Sequence, residues 1–275
     1  MTFAEGATDQ PRTLLRLSGF GVPLTTETVI LTAVMTLTFL LFLLIEPTPR
    51  WLALLGALIA ALATDGILRH VRSEIFEAGA DSTPYLFLPT LLALTVPVFA
   101  EYNVRGYWDI LVAAGGGLVF GLVVLAEITS VRPTDPLHTV ARFVAAAATY
   151  FVVFALLALG YAFDLGLRES IAAIALISML CAVELLRDDQ LDPIETLVFS
   201  CITGLVVAEA RWVMQYLPID GYLAALALLL VFYFSTGVVH AYITRQLNLV
   251  VTGEYAAVAA AGIALVAAAR IAGLA

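Results

Sequence analysis

The chain has no lysine: all 13 of its basic residues are arginine. That absence excludes chemistry built on an ε-amine, including retinal or pyridoxal Schiff bases and lysine nucleophiles. Side-chain amides are almost as scarce. Two asparagines (Asn103, Asn248) and four glutamines in 275 residues leave little to line a path for hydrophilic solutes, which disfavours polar transport. Only two cysteines are present, Cys181 and Cys201, both inside apolar runs where a thiol packs as a small hydrophobe and stays inert. Charged residues make up 13% of the chain, against roughly a quarter in a soluble domain.

Hydrophobic residues fill 62% of positions, more apolar surface than a soluble fold of this size could cover. The net charge of −9 is no acidic surface, because the charges fall in short clusters between long apolar runs and mark helix ends. No nucleic-acid partner is expected; the lipid bilayer is. Nine windows have the roughly 17 to 25 mostly apolar residues of a spanning helix. They cover approximately 26–45, 50–68, 84–100, 108–128, 138–160, 168–186, 193–216, 219–243 and 254–274. The expected fold is an all-α, polytopic transmembrane bundle of about nine spans, one compact domain over 26–275. Residues 1–25 form an N-terminal segment without a short apolar core and cleavage site, so no removable signal peptide is read there. Leu14, Leu15, Leu17 and Phe20 interleave with Arg12 and Arg16, as in a short helix lying in the interface.

Arginine placement sets the expected orientation. Arg12, Arg16, Arg69, Arg72, Arg132, Arg142, Arg187 and Arg245 share the N-terminal side, against Arg50, Arg105, Arg168, Arg211 and Arg270 on the other. This bias puts the N-terminus in the cytoplasm and, with an odd helix count, the C-terminus outside an inner (cell) membrane. Trp51, Trp108 and Trp212, with Tyr102, Tyr107, Tyr161, Tyr216 and Tyr222, fall at the outer ends, where amphipathic rings favour the headgroup region. A weak two-helix repeat is also visible. Asp65, Glu127, Glu184 and His240 recur at the cytoplasmic ends of the even helices, each followed within a few residues by Arg69, Arg132, Arg187 or Arg245. Duplicated hairpins and the plain alternation of an up-down bundle both give that spacing.

Small residues indicate where helices meet. Gly115, Gly116, Gly117 and Gly121 in the fourth span, the Ala145–Ala148 run in the fifth and the alanine-rich ninth span permit close approach. Thr28, Thr32 and Thr36 share one face of the first span. Pro89 and Pro97 in the third predict a kinked or broken helix. Irregular backbone at membrane depth is tolerated beside protein or a cavity, so Pro89, Pro97, Gly117 and Gly121 are the expected pocket wall.

The most chemical-looking stretch is Arg187-Asp188-Asp189-Gln190-Leu191-Asp192-Pro193-Ile194-Glu195. Its aspartates suit Mg²⁺, a hard cation preferring carboxylate oxygens, with Asp188 and Asp192 as candidate metal ligands. The same residues also read as a helix start, with Asp192 as N-cap, Pro193 at N1 and Glu195 at N3. A nine-helix bundle with Asp188, Asp192 and Thr196-Leu197 after the sixth span resembles the intramembrane aromatic prenyltransferases. That resemblance implies a second acidic motif after the second span, with Mg²⁺ bridging the two motifs to a prenyl diphosphate. There the chain reads Thr64-Asp65-Gly66-Ile67-Leu68-Arg69-His70, in which Asp65 alone matches.

His70, His138 and His240 map to the cytoplasmic half without the spacing of a metal or haem site. Glu184, Glu209 and Arg211 lie just inside apolar runs, where interfacial salt bridges are expected. No catalytic residue is assigned and no cofactor is implied by the residues alone. The reading is a structural or accessory subunit of a larger membrane complex, partnered by other membrane polypeptides or by itself. The alternatives are a transporter or lipid- and isoprenoid-handling protein and, behind them, a Mg²⁺-dependent prenyltransferase-like enzyme.

Overall fold

The computed structural model describes residues 15–16, 23–24, 26–73, 83–104, 106–131, 135–163, 165–187, 192–217, 219 and 221–272. Among them the chain forms nine helices. These are α1 (Thr26–Leu44), α2 (Arg50–Ser73), α3 (Phe87–Asn103), α4 (Trp108–Ser130), α5 (His138–Ala162), α6 (Leu167–Leu186), α7 (Pro193–Met214), α8 (Gly221–Ile243) and α9 (Leu249–Ile271). Eight carry segments of 19 to 25 residues apolar enough to cross a membrane. The ninth, α3, has 17 residues, about 26 Å at 1.5 Å per residue against a hydrocarbon core of about 30 Å. A 3₁₀ turn at Thr83–Tyr85 precedes it and extends its reach. The all-helical bundle of about nine spans is therefore the fold of the chain, an integral membrane protein in contact with lipid. The face where α1 begins is called the near face below and the opposite one the far face.

Of the N-terminal segment, only β1 (Leu15–Arg16) and β2 (Pro23–Leu24) are described; they pair antiparallel with Leu15 opposite Leu24. The remainder of the expected interfacial helix lies outside the described residues. Two helix ends differ from the sequence windows. α9 begins at Leu249 rather than near 254, because Asn248 caps it: its side-chain oxygen accepts from the Val251 amide at 2.8 Å. α2 runs on to Ser73, past the apolar stretch, carrying the Asp65–Arg69 ion pair at 2.8 Å on its last turns. Nor do the prolines break α3. Pro89 occupies its first turn, where amides lack intrahelical partners, and the helix continues through Pro97 as one element.

Between membrane helices apolar burial supplies little drive, since lipid tails are as apolar as leucine; close packing and small residues carry the association. The α1–α4 seam is built this way. A Cβ placed on Gly117 would collide with Thr36, and one on Gly121 would lie 2.6 Å from Thr32 Oγ1. The hydroxyls at this seam are satisfied within α1: Thr32 Oγ1 donates to the Thr28 carbonyl at 2.7 Å and Thr36 Oγ1 to that of Thr32 at 2.8 Å. With their protons turned back onto α1, Thr32 and Thr36 lay their Oγ1 and Cβ atoms directly against the glycine face of α4. The α6–α7 seam uses the same device, with Gly204 against the Ala175 carbonyl and Cys201 Sγ 3.5 Å from Met179 Sδ. Helix α5 is the hub, packing on α3, α4, α6 and α8, and its spanning segment is 50% buried. Phe39, Phe120, Phe232, Leu92 and Leu157 fill the interior.

Candidate functional site

Four helices converge on Arg187 at the near face. The residue caps α6, its amide bonding to the Val183 carbonyl at 3.0 Å. Its guanidinium then turns into the bundle. Nη1 donates to Glu184 Oε2 at 2.8 Å and to the Pro84 carbonyl at 3.4 Å; Nη2 donates to Glu127 Oε2 at 2.6 Å and to Ser130 Oγ at 3.3 Å. The ring of Tyr85 lies beneath it, 3.9 Å from centroid to guanidinium carbon. Glu127 is wholly buried and Glu184 nearly so, while 10% of the Arg187 side chain is exposed.

The local sequence explains why the groups meet. Glu127 and Ser130 are one turn apart on the last turn of α4, and the Ser130 hydroxyl donates to the Glu127 carbonyl at 2.8 Å, leaving its oxygen free to accept from Arg187. Glu184 and Arg187 are one turn apart at the end of α6. Arg142, in the first turn of α5, donates to the Arg187 carbonyl at 3.3 Å and brings a second positive charge. Two acidic side chains thus lie together with two guanidiniums; an unpaired buried ion would cost several kcal/mol. Glu127 Oε1 and Glu184 Oε1 accept no hydrogen bond among the described residues. The arrangement ties α3, α4, α5 and α6 together, and neither of the two cavities described below reaches it.

The repeat seen in the sequence resolves differently at each position. Asp65 and Arg69 pair locally, as do Glu184 and Arg187. Glu127 instead crosses to Arg187, so two members of the repeat, on α4 and α6, share one guanidinium. Glu209 is exposed, and Arg211 has no carboxylate partner among the described residues.

Asp188 lies outside the described residues. Asp192 stands at the N-cap position of α7 with Pro193 as the first helical residue, but its side chain makes no capping bond. It is exposed, where hydration of the carboxylate competes with the cap; its main-chain carbonyl accepts from the Thr196 amide at 3.1 Å instead. Among the described residues no three His, Cys, Asp or Glu side chains converge as a metal site. The pairing implied by the prenyltransferase resemblance is also not formed by the two aspartates described: Asp65 is on α2, Asp192 precedes α7, and those helices share no substantial contact. His70, His138 and His240 stand at the ends of α2, α5 and α8.

Pro89, Pro97, Gly117 and Gly121 are buried at helix contacts. They line neither of the two cavities described. One cavity, of about 500 Å³, lies at the far face between the ends of α5, α7 and α8 and includes Tyr161, Arg211, Gln215 and Tyr222. The other, of about 590 Å³, is a largely apolar groove between α1 and α2, with Glu27 and His70 at its near end. The expected aromatic belt is present around the far face: Trp51, Trp108, Trp212, Tyr107 and Tyr216 are all exposed at helix ends there.

Helix α9 stands apart. It packs chiefly on α8 through Tyr255, Ala259, Gly262 and Val266, and only 11% of its spanning segment is buried. Its opposite face presents Gly253, Ala257, Ala261, Ala264 and Ala268, all exposed.

No curated protein and no solved structure matches the chain. One protein-family profile does, over residues 32–269, a stretch that begins within α1 and ends within α9. The nine-helix bundle is thus essentially the whole of the matched region, and the chain belongs to the family described as "Protein of unknown function (DUF5656)".

Proposed function

We propose that the protein is a structural or accessory subunit of a larger membrane assembly and that α9 is its docking helix. The observation carrying this reading is the uncovered face of α9, where residues spaced by three or four present glycine and alanine outward. Helices facing only lipid have no need of such a surface, whereas small residues at this spacing let a second helix approach closely. The closed near-face ion-pair cluster fits the same role, because it fastens four helices together without opening a cavity. In the proposed orientation the near face is cytoplasmic and the membrane is a bacterial inner membrane, supported by the arginine bias and the far-face aromatic belt.

Single cysteines at Ala257 and Ala264, introduced into the chain with Cys181 and Cys201 replaced by serine, test the docking helix in native membranes. Cross-linking is expected to give a discrete adduct with a second polypeptide or a second copy, and Ala261→Leu is expected to abolish it without changing thermal stability. Labelling of both positions by a lipid-soluble reagent alone, with no protein adduct, would remove the basis for the reading.

A further inference from the structure

Arg211 is held in place by contacts that, among the described residues, include no carboxylate. It lies in the last turn of α7, its Nε donates to Ser170 Oγ on α6 at 3.0 Å, and its guanidinium carbon sits 4.7 Å from the centroid of the Tyr161 ring on α5. These two contacts fix the plane of the fork. They use one N–H and one π-face, and no carboxylate among the described residues comes within ion-pairing distance. The side chain borders the far-face cavity of about 500 Å³, within the roughly 300–1,000 Å³ of small-molecule sites.

The cavity lining combines polar and apolar groups. Arg211, Gln215 and Tyr222 are among its polar lining residues, and Met214 and Leu217 among its apolar ones. Tyr222 is itself oriented, its hydroxyl donating to Asn103 Oδ1 at the end of α3, while Asn103 Nδ2 donates to the Phe99 carbonyl at 2.7 Å. The site lies level with Trp212 and Tyr216, rings that mark headgroup depth. A planar guanidinium with open donors at that depth matches a phosphate oxyanion, which it can bind bidentately.

We propose that this cavity binds phosphate-bearing amphiphiles, with the phosphate on the open edge of Arg211 and the apolar portion against Met214 and Leu217. The ligand chemistry is an oxyanion joined to a hydrophobic chain; its source is either the surrounding anionic lipid or a soluble phosphate compound. Arg211 is the charge-recognising group, and Ser170 and Tyr161 are positioning residues that act through it.

The test uses the full chain in zwitterionic nanodiscs or mild detergent, with bound lipid read by native mass spectrometry during titration with phosphatidylglycerol, phosphatidylcholine and inorganic phosphate. The wild type is expected to retain phosphatidylglycerol in preference to phosphatidylcholine. Arg211→Gln should weaken that binding about tenfold or more, the scale of one lost charge-assisted hydrogen bond, and leave phosphatidylcholine unchanged. Gln215→Trp, which narrows the cavity without touching Arg211, Ser170 or Tyr161, should weaken it as well and guards against misfolding of the arginine variant. Saturable inorganic phosphate binding that disappears in Arg211→Gln supports the same site with a soluble ligand. Equal phosphatidylglycerol retention by the wild type and both variants, each with an unchanged melting curve, overturns the proposal.

Discussion

Arg187 and Arg211 begin from the same chemistry and end in opposite surroundings. Each lies at the end of a spanning helix, with a glutamate two or three residues before it. At the near face, α4 delivers Glu127 and Ser130, the turn before α3 delivers Tyr85 and the Pro84 carbonyl, and both terminal nitrogens of Arg187 are occupied. At the far face, α5 and α6 deliver a ring and one hydroxyl among the described residues, and Arg211 borders open volume. The contrast teaches that a helix-end arginine becomes a structural tie or a binding group according to what the neighbouring helices supply, not according to its depth.

The largest expected effect follows from removing the tie. Arg187→Ala leaves Glu127 and Glu184 buried with their direct cation gone, a change that costs about 3–5 kcal/mol when one partner of a buried pair is deleted. Arg187→Lys should recover part of this, since one ammonium cannot reproduce the fork that spans both carboxylates. Arg211→Ala should cost about 1 kcal/mol, the scale of one hydrogen bond and one cation–π contact. Unfolding by denaturing detergent checks all three; equal losses at positions 187 and 211 would break the comparison.

An intermediate effect is expected at the α1–α4 seam, which is closed by shape rather than by charge. Gly117→Leu forces a side chain into space already held by Thr36 and should destabilise by about 1–3 kcal/mol or more, the range for overpacking. Its neighbour Leu118 is 61% exposed to the lipid side, so Leu118→Ile should melt like the wild type. Similar melting of both variants would mean that α1 can withdraw from α4 without loss.

Much of this was legible in the residues. Nine apolar runs gave the helices, because spanning length and hydropathy are properties of a single segment. Thr28, Thr32, Thr36, Gly117 and Gly121 pointed to close seams for the same reason: small residues at helical spacing have few other uses in a span. The near-face cluster was less legible. The repeat set Glu127 beside an arginine in sequence, but said nothing of its bond to Arg187, 60 residues away at the end of α6; which helix lies beside which is decided by packing between segments. Ser130, one turn after Glu127, was the available signal, since a second polar group on the same inward turn implies a shared polar neighbour. The prolines were less telling about shape: Pro89 fits a first turn, and α3 packs on α2, α4 and α5 as one helix through Pro97.

The smallest expected effect concerns Asp192, which stands near the closed cluster in sequence but outside it in space. If the aspartate capped α7 with its side chain, replacement by alanine would cost about 0.5–2 kcal/mol. The carboxylate is exposed and makes no capping bond, and the first turn is held by the Asp192 main-chain carbonyl, which alanine retains. Asp192→Ala should therefore change stability by less than about 0.5 kcal/mol, the range for surface substitutions. Melting curves recorded with and without Mg²⁺ extend the test to the acidic turn as a whole. Unchanged curves for wild type and variant in both conditions would class the turn with the solvated helix ends. A Mg²⁺-dependent rise in the wild type that is lost in Asp192→Ala would instead make Asp192 a cation ligand, and would give the near face an open site of its own beside the closed cluster at Arg187.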